Sequence, residues 1–237
     1  MSDSTQPVLG PGEQRLYRLG GIAAFILVAG WFLTFPLYAA GGGPEPMGAA
    51  ARLLHYAGRE PAWWAILWIM VFTDFMYVGV ALALFQLLKR LDQGMMLLFV
   101  AFKGLFIALD LGLLWPNHAA LLSLSKLYAA AASEAQRAAI ASAAAAPAAV
   151  LDSLLPNVYS IGIPALGTLF ASLVMLKGIF GRPAAYLGLA AGITGIVAVA
   201  DPFLGTWGKV HIVNGLLATV WFLLVGWGLC RIGWRTT

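Results

Sequence analysis

Apolar positions in this chain fall into six long, nearly unbroken runs: Leu19–Ala40, Pro61–Leu88, Gly94–Trp115, Ser153–Leu176, Pro183–Ala200 and Trp207–Arg231. Each approaches or exceeds the roughly 20 residues with which a helix crosses about 30 Å of hydrocarbon, the fifth being the shortest. The pattern predicts an all-α integral membrane protein, a six-helix bundle occupying residues 19–231 as one domain. Residues 1–18 form an N-terminal segment whose first ten residues read as disordered, and residues 232–237 form a short tail.

Composition strengthens this reading. Hydrophobic residues make up 61% and charged residues 10% of the 237 positions, against roughly 45–50% and 25% in soluble domains. The first run follows Arg15 and Arg18 like a secretory signal, but it exceeds the roughly 7–15 residues of a signal core and reads as a retained helix. The formal charge of +4 comes from basic residues at span ends, which is an orientation signal rather than a nucleic-acid footprint. A single cysteine, Cys230, excludes an intrachain disulfide and a cysteine metal cluster.

Six spans put both termini on one side, with Arg15, Arg18, Lys89, Arg90, Lys177, Arg182, Arg231 and Arg235; Arg52, Arg59, Lys126, Arg137 and Lys209 fall on the other. The positive-inside rule then makes the termini cytoplasmic. Trp63, Trp64, Trp115 and Trp207 are expected at the outer interface, and Trp227 and Trp234 at the inner one. The loop of about 37 residues between spans 3 and 4 is too long to be a simple connection. Pro116-Asn117 offers a helix start, Leu121, Leu124, Leu127 and Tyr128 an apolar stripe, and Ser133 to Gln136 a capping box; Pro147 ends the alanine-rich run. A helical hairpin over the outer mouth, about residues 116–152, follows; a spacer that merely extends the spans is the alternative. Gly188 and Gly192 lie one turn apart in span 5, a smooth face for close helix packing, either inside the bundle or in a homo-oligomer.

Three ionisable residues interrupt the apolar runs: Asp74, Lys103 and Asp110. A charge at the bilayer centre costs at least roughly 2.5–3.5 kcal/mol, so such groups pair, face a cavity or work. Counted from Pro61 and from Trp115, Asp74 and Lys103 lie about 20 and 18 Å deep, which predicts an ion pair between them. Asp110, two turns nearer the outside, has no cation in its own turn and is the candidate acid/base. Tyr77, Asn157, Ser160, His211 and Asn214, joined by Tyr159, Asp152 and Asp201, gather at a similar level as candidate ligand contacts, and Pro164 interrupts span 4 below them. Singly, each also reads as an interhelical hydrogen bond. No metal-ligand spacing or haem pair is present, so neither metal nor cofactor is expected.

The stretch Val78 to Arg90, ending Phe85-Gln86-Leu87-Leu88-Lys89-Arg90, resembles the second span of a bacterial membrane family known as domain of unknown function, series number 4386. The likeness continues through the third span, Leu121–Ser125 to Gln136-Arg137, and Leu176-Lys177 to Arg182-Pro183 with Leu187-Gly188-Leu189. It implies a multi-span protein of the bacterial inner membrane and carries over no reaction, substrate or catalytic residue. The residues support three readings. One is an outward-opening site for a small amphipathic or lipid-like molecule, with Asp110 as acid/base and Lys103 holding developing negative charge. The second is a proton-coupled transporter or exporter, and the third an accessory subunit of a membrane complex.

Overall fold

The computed structural model describes residues 10–178, 180–204 and 208–234. Of the residues singled out above, the first nine, Trp207 and Arg235 lie outside that range. Helix α1 runs from Pro11 to Ala40, α2 from Ala49 to Tyr56, α3 from Glu60 to Leu88 and α4 from Gln93 to Leu109. A π-helical turn over Asp110–Leu114 joins α4 to α5, Trp115–Ala130, and α6 (Glu134–Ala143) and α7 (Ala145–Asp152) follow. One turn of helix, α8 (Leu155–Asn157), passes through a second π turn, Val158–Gly162, into α9, Ile163–Met175. Then come α10 (Arg182–Val199), α11 (Asp201–Leu204) and α12 (Lys209–Gly233).

Six segments are long and apolar enough to cross a membrane: α1, α3, the continuous helix Gln93–Ala130, Leu155–Met175, α10 and α12. They match the six predicted runs, with one correction. The third does not end at Trp115, and Pro116-Asn117 starts no new helix; the chain continues as one helix of 38 residues, about 57 Å long at 1.5 Å per residue. That exceeds the hydrocarbon thickness. Pro147 does interrupt the alanine-rich run: α6 ends at Ala143, whose carbonyl the Pro147 ring would press on in a continuous helix, and Pro147 itself lies in the first turn of α7, where a missing N–H costs no helical bond.

Each long helix packs on its neighbours in sequence, and α12 closes on α1, so the six form a ring. Its centre is filled by aromatic side chains from four helices: Trp31, Tyr77, Phe106, Trp221 and Phe222 meet mostly edge to face. Small residues set the approach of the helices, as expected where lipid supplies no hydrophobic drive between them. A Cβ on Gly21 would lie 2.5 Å from Cys230 Sγ and 2.8 Å from the Gly226 carbonyl, so α1 and α12 nearly touch backbones. Gly188 faces Ser172 and Trp221, and Gly192 faces Leu169 and the Ala165 carbonyl. The Gly188/Gly192 face is therefore used inside the bundle and is not free for a second copy of the chain.

A second, smaller core sits at the end of the ring away from the termini. Leu53 and Tyr56 of α2 pack there with Trp63, Ile66 and Leu67 of α3, Leu121 and Leu122 of α5, and Ala144 and Ala148. Arg52, only 7% exposed, clamps this cap. Its guanidinium donates to Asp152 Oδ1 at 2.8 Å and to Glu45, and the Gly48 amide donates to Asp152 Oδ2 at 2.8 Å. Burial alone would lower the Arg52 pKa, but Glu45 and Asp152 outweigh it and hold the group more firmly protonated than in water. Trp63 is buried, with its indole N–H on the Gly41 carbonyl at 3.0 Å. It is a core residue of the cap rather than an interfacial anchor. At the opposite end Asp92 caps α4 through the Met95 amide and bridges Lys177 at 2.9 Å, tying two short turns together. The Lys177 hydrogen bond, with that of the Met95 amide, holds the Asp92 carboxyl below its ordinary range.

The glycine contacts generate a direct expectation. A Cβ at Gly188 would lie 2.0 Å from Ser172 Oγ, so Gly188→Ala should cost about 1–3 kcal/mol, the usual penalty of overpacking. At Gly104, where a Cβ meets nothing within 4 Å, the same change should leave stability unchanged or raise it slightly. Thermal midpoints of the two variants in detergent, compared with the parent, check both statements.

Candidate functional site

All three interior charges are buried: Asp74 is 2% exposed, Lys103 3% and Asp110 3%. They do not pair with one another. Lys103 Nζ donates to the Pro164 carbonyl at 2.9 Å and to Thr168 Oγ1 at 3.0 Å. It lies 5.2 Å from the centre of the Tyr77 ring and 5.9 Å from that of Phe222, so aromatic faces replace a counterion. Asp74 Oδ2 accepts the indole N–H of Trp115 at 2.6 Å, and Asp110 Oδ1 accepts the Ser160 hydroxyl at 2.6 Å.

The expected Asp74–Lys103 ion pair is thus corrected, and the cause lies in the depth count. The span does not end at Trp115: the helix continues for a further 15 residues, to Ala130. Because Trp115 touches Asp74, that carboxylate sits near the level of Trp115 and Asp110. Lys103 is about 18 Å of helix below Trp115, beside Tyr77 and α9. The two carboxylates are within electrostatic reach of each other and of Tyr77, so the aspartates form a cluster and the lysine a separate station beneath it.

Local irregularity builds this arrangement. In the first π turn the Trp115 amide reaches back to the Asp110 carbonyl; in the second the Ile163 amide reaches back to that of Val158. The residue whose amide closes each turn, Trp115 or Ile163, immediately precedes a proline, Pro116 or Pro164. A proline inside a helix lacks the N–H for one bond and presses on the carbonyl four residues earlier; a wide turn moves that carbonyl away from the ring. The bond from Ser160 to Asp110 joins one π turn to the other, and such turns recur at functional sites. Trp115 touches both aspartates, its backbone N–H closing the turn on the Asp110 main-chain carbonyl and its indole N–H holding the Asp74 carboxylate.

The remaining predicted residues divide. Tyr77 lines the interior beside Lys103. Tyr159 is buried near Asp110, and its hydroxyl has no hydrogen-bond partner among the described residues. Asn157 lies one turn before Ser160, with no side-chain hydrogen bond among the described residues. Asn214 donates to the Ala191 carbonyl at 2.7 Å and packs α12 on α10, the interhelical role rather than a ligand contact. His211 Nδ1 lies 3.2 Å from Asp201 Oδ2, out of hydrogen-bond alignment, and the pair joins α11 to α12. Asp152 belongs to the Arg52 clamp.

Two members of the site were missed in the sequence. Trp115 read as an interfacial anchor, although its place before a proline marks the end of a wide turn. Thr168 carries no signal in the sequence beyond its place four residues after Pro164, to whose carbonyl it donates at 3.0 Å.

Above Trp115 lies a small cavity lined by Tyr38, Glu45, Trp63, Ile66, Leu67, Trp115, His118 and Leu122. About 20 Å³ of it is open to the centre of a water molecule. No family model, curated protein or solved structure matches this chain.

The neutral partners of Lys103 set a stability expectation. In an ion-paired interior Lys103→Met would strand a buried carboxylate and cost roughly 3–5 kcal/mol. Here the Pro164 carbonyl keeps its Thr168 hydrogen bond when Lys103 is lost. Lys103→Met should therefore stay within about 1 kcal/mol of the parent, as changes that strand no buried polar group do. Thermal unfolding in detergent distinguishes the two cases.

Proposed function

We propose that this chain is a multi-span protein of the bacterial inner membrane, with both termini cytoplasmic, that couples movement of a small solute to protons taken up and released at Asp110 and Asp74. One observation carries the reading: among the described residues, the hydrogen-bond partners of the three buried ionisable groups are all neutral. A structural charge pair would bring opposite charges into contact, whereas a carboxylate on a hydroxyl or an indole N–H can gain or lose a proton without breaking an ion pair. Intramembrane acids of this kind mark proton relays. The two π turns with their prolines add discontinuous helices at the site, a feature that transporters use where substrate and coupling ion meet. Lys103, a station below the aspartates, supplies the cation that attracts an anionic group of the solute or the deprotonated acid.

Orientation rests on the basic residues that collect at the terminal end, including Arg15, Arg18, Lys89, Arg90, Lys177 and Arg182. The likeness to domain of unknown function, series number 4386, supports the bacterial setting.

Proteoliposomes loaded with fractions of a bacterial small-molecule extract and carrying a lumenal pH dye provide the test. The parent should move protons in a solute-dependent manner, and Asp110→Asn should reduce the initial rate at least tenfold. Conversion of a solute in detergent, without a gradient and lost in the same variant, would overturn the transporter reading in favour of an enzyme.

A further inference from the structure

The cavity above Trp115 has the chemistry of a water site. The volume open to a water centre, about 20 Å³, slightly exceeds the roughly 10–15 Å³ that one water requires, and a buried water needs two to four polar partners. Glu45, His118 and Tyr38, three residues that carry polar groups, are among the cavity's lining residues. Its remaining walls are apolar or aromatic, so a water there has few places to go except between these three groups. Trp115 is one of the lining residues, and its indole N–H donates to Asp74. A single side chain therefore separates the cavity from the upper carboxylate.

We infer that this cavity is a hydration site that supplies protons to Asp74 from the cap end, with Trp115 as the gate between them. The inference rests on the proton-handling reading of the aspartates and names their route of access. The step is a proton transfer. When the indole swings aside, a proton that bulk water at the cap end has delivered to the cavity water as hydronium is passed on: its O–H bond to that water breaks, an O–H bond forms on an Asp74 oxygen, and a neutral water is left in the cavity. The Trp115 N–H remains on nitrogen throughout. Displacing the indole removes its hydrogen bond to Asp74, so opening the gate and readying the carboxylate for a proton are one motion.

The charged and titratable groups around the route are few. Glu45 is held by Arg52, which also binds Asp152; His118 Nδ1 lies 3.4 Å from the Tyr56 hydroxyl and 3.7 Å from Glu45 Oε1. Burial, with Glu45 nearby, pushes the Tyr56 hydroxyl well above its usual pKa, so Tyr56 stays neutral beside His118. On the far side of Trp115, Asp74 faces Asp110 and Tyr77. The Arg52 clamp fixes Glu45 beside the cavity, which leaves Trp115 as the moving part.

Thiol accessibility tests the gate without requiring any proton movement. With the single native cysteine replaced, Cys230→Ser, an Asp74→Cys variant is exposed to a small, positively charged, membrane-impermeant thiol reagent from the cap side. With Trp115 in place labelling should be slow, and adding Trp115→Ala should accelerate it at least tenfold, while reagent on the terminal side produces no such change. If Trp115→Ala fails to fold, Trp115→Leu removes the indole with less loss of volume and should give the same direction. Equal rates with and without Trp115, or acceleration only from the terminal side, would overturn the gate and leave the coupling by Asp110 to stand on its own flux assay. Faster labelling together with an Asp110→Asn variant that keeps full proton coupling would retain the port and remove the function proposed for the aspartates.

Discussion

Everything distinctive in this molecule follows from one constraint: three ionisable side chains are buried in an apolar bundle without an ion pair among them. Each must recover by other means what it loses on leaving water. Asp74 uses an indole N–H and Asp110 a hydroxyl, while Lys103 uses a carbonyl, a hydroxyl and two ring faces. Such partners compensate less than a counterion would at the same distance, yet they make no demand on charge state. That difference separates a site able to change protonation from a structural cross-link.

The backbone is bent to deliver those partners. Ser160 reaches Asp110 because both lie on wide turns, and each wide turn is positioned by the proline that follows it. Trp115, the last residue before Pro116, is thereby placed with one N–H toward each aspartate. Around this irregular centre the rest of the bundle is conventional. The six helices close into a ring through glycine and alanine contacts, and aromatic rings fill the middle. Over one end, α2 and α5–α7 pack into a separate core, clamped by Arg52 between Glu45 and Asp152.

The spans were legible because hydrophobic run length is a direct physical requirement of the bilayer, and five of six helices end within a few residues of the runs. The three buried charges were legible for the same reason, as costly exceptions. Their partners were not. Depth along a helix was counted from Trp115 on the assumption that an aromatic residue before Pro-Asn marks the water interface. In the folded chain that residue points inward and the helix continues for four more turns. A shift of that size changes which charges meet. The π turns were foreshadowed only at Pro164, since a wide turn has no residue signature beyond its proline and depends on a partner helix. Asn214 illustrates the opposite case: the bland role, a hydrogen bond between packed helices, is the one it plays.

The central claim is that Asp74 and Asp110 exchange protons within the intact bundle. Infrared difference spectra of the purified protein between alkaline and acidic pH read this directly through the carboxylic-acid carbonyl band. On acidification, while the protein remains folded, the account predicts that protonated-carboxyl bands appear, one component missing in Asp74→Asn and another in Asp110→Asn. Bands unchanged by either substitution, or no buried carboxyl changing state across the folded range, would contradict it.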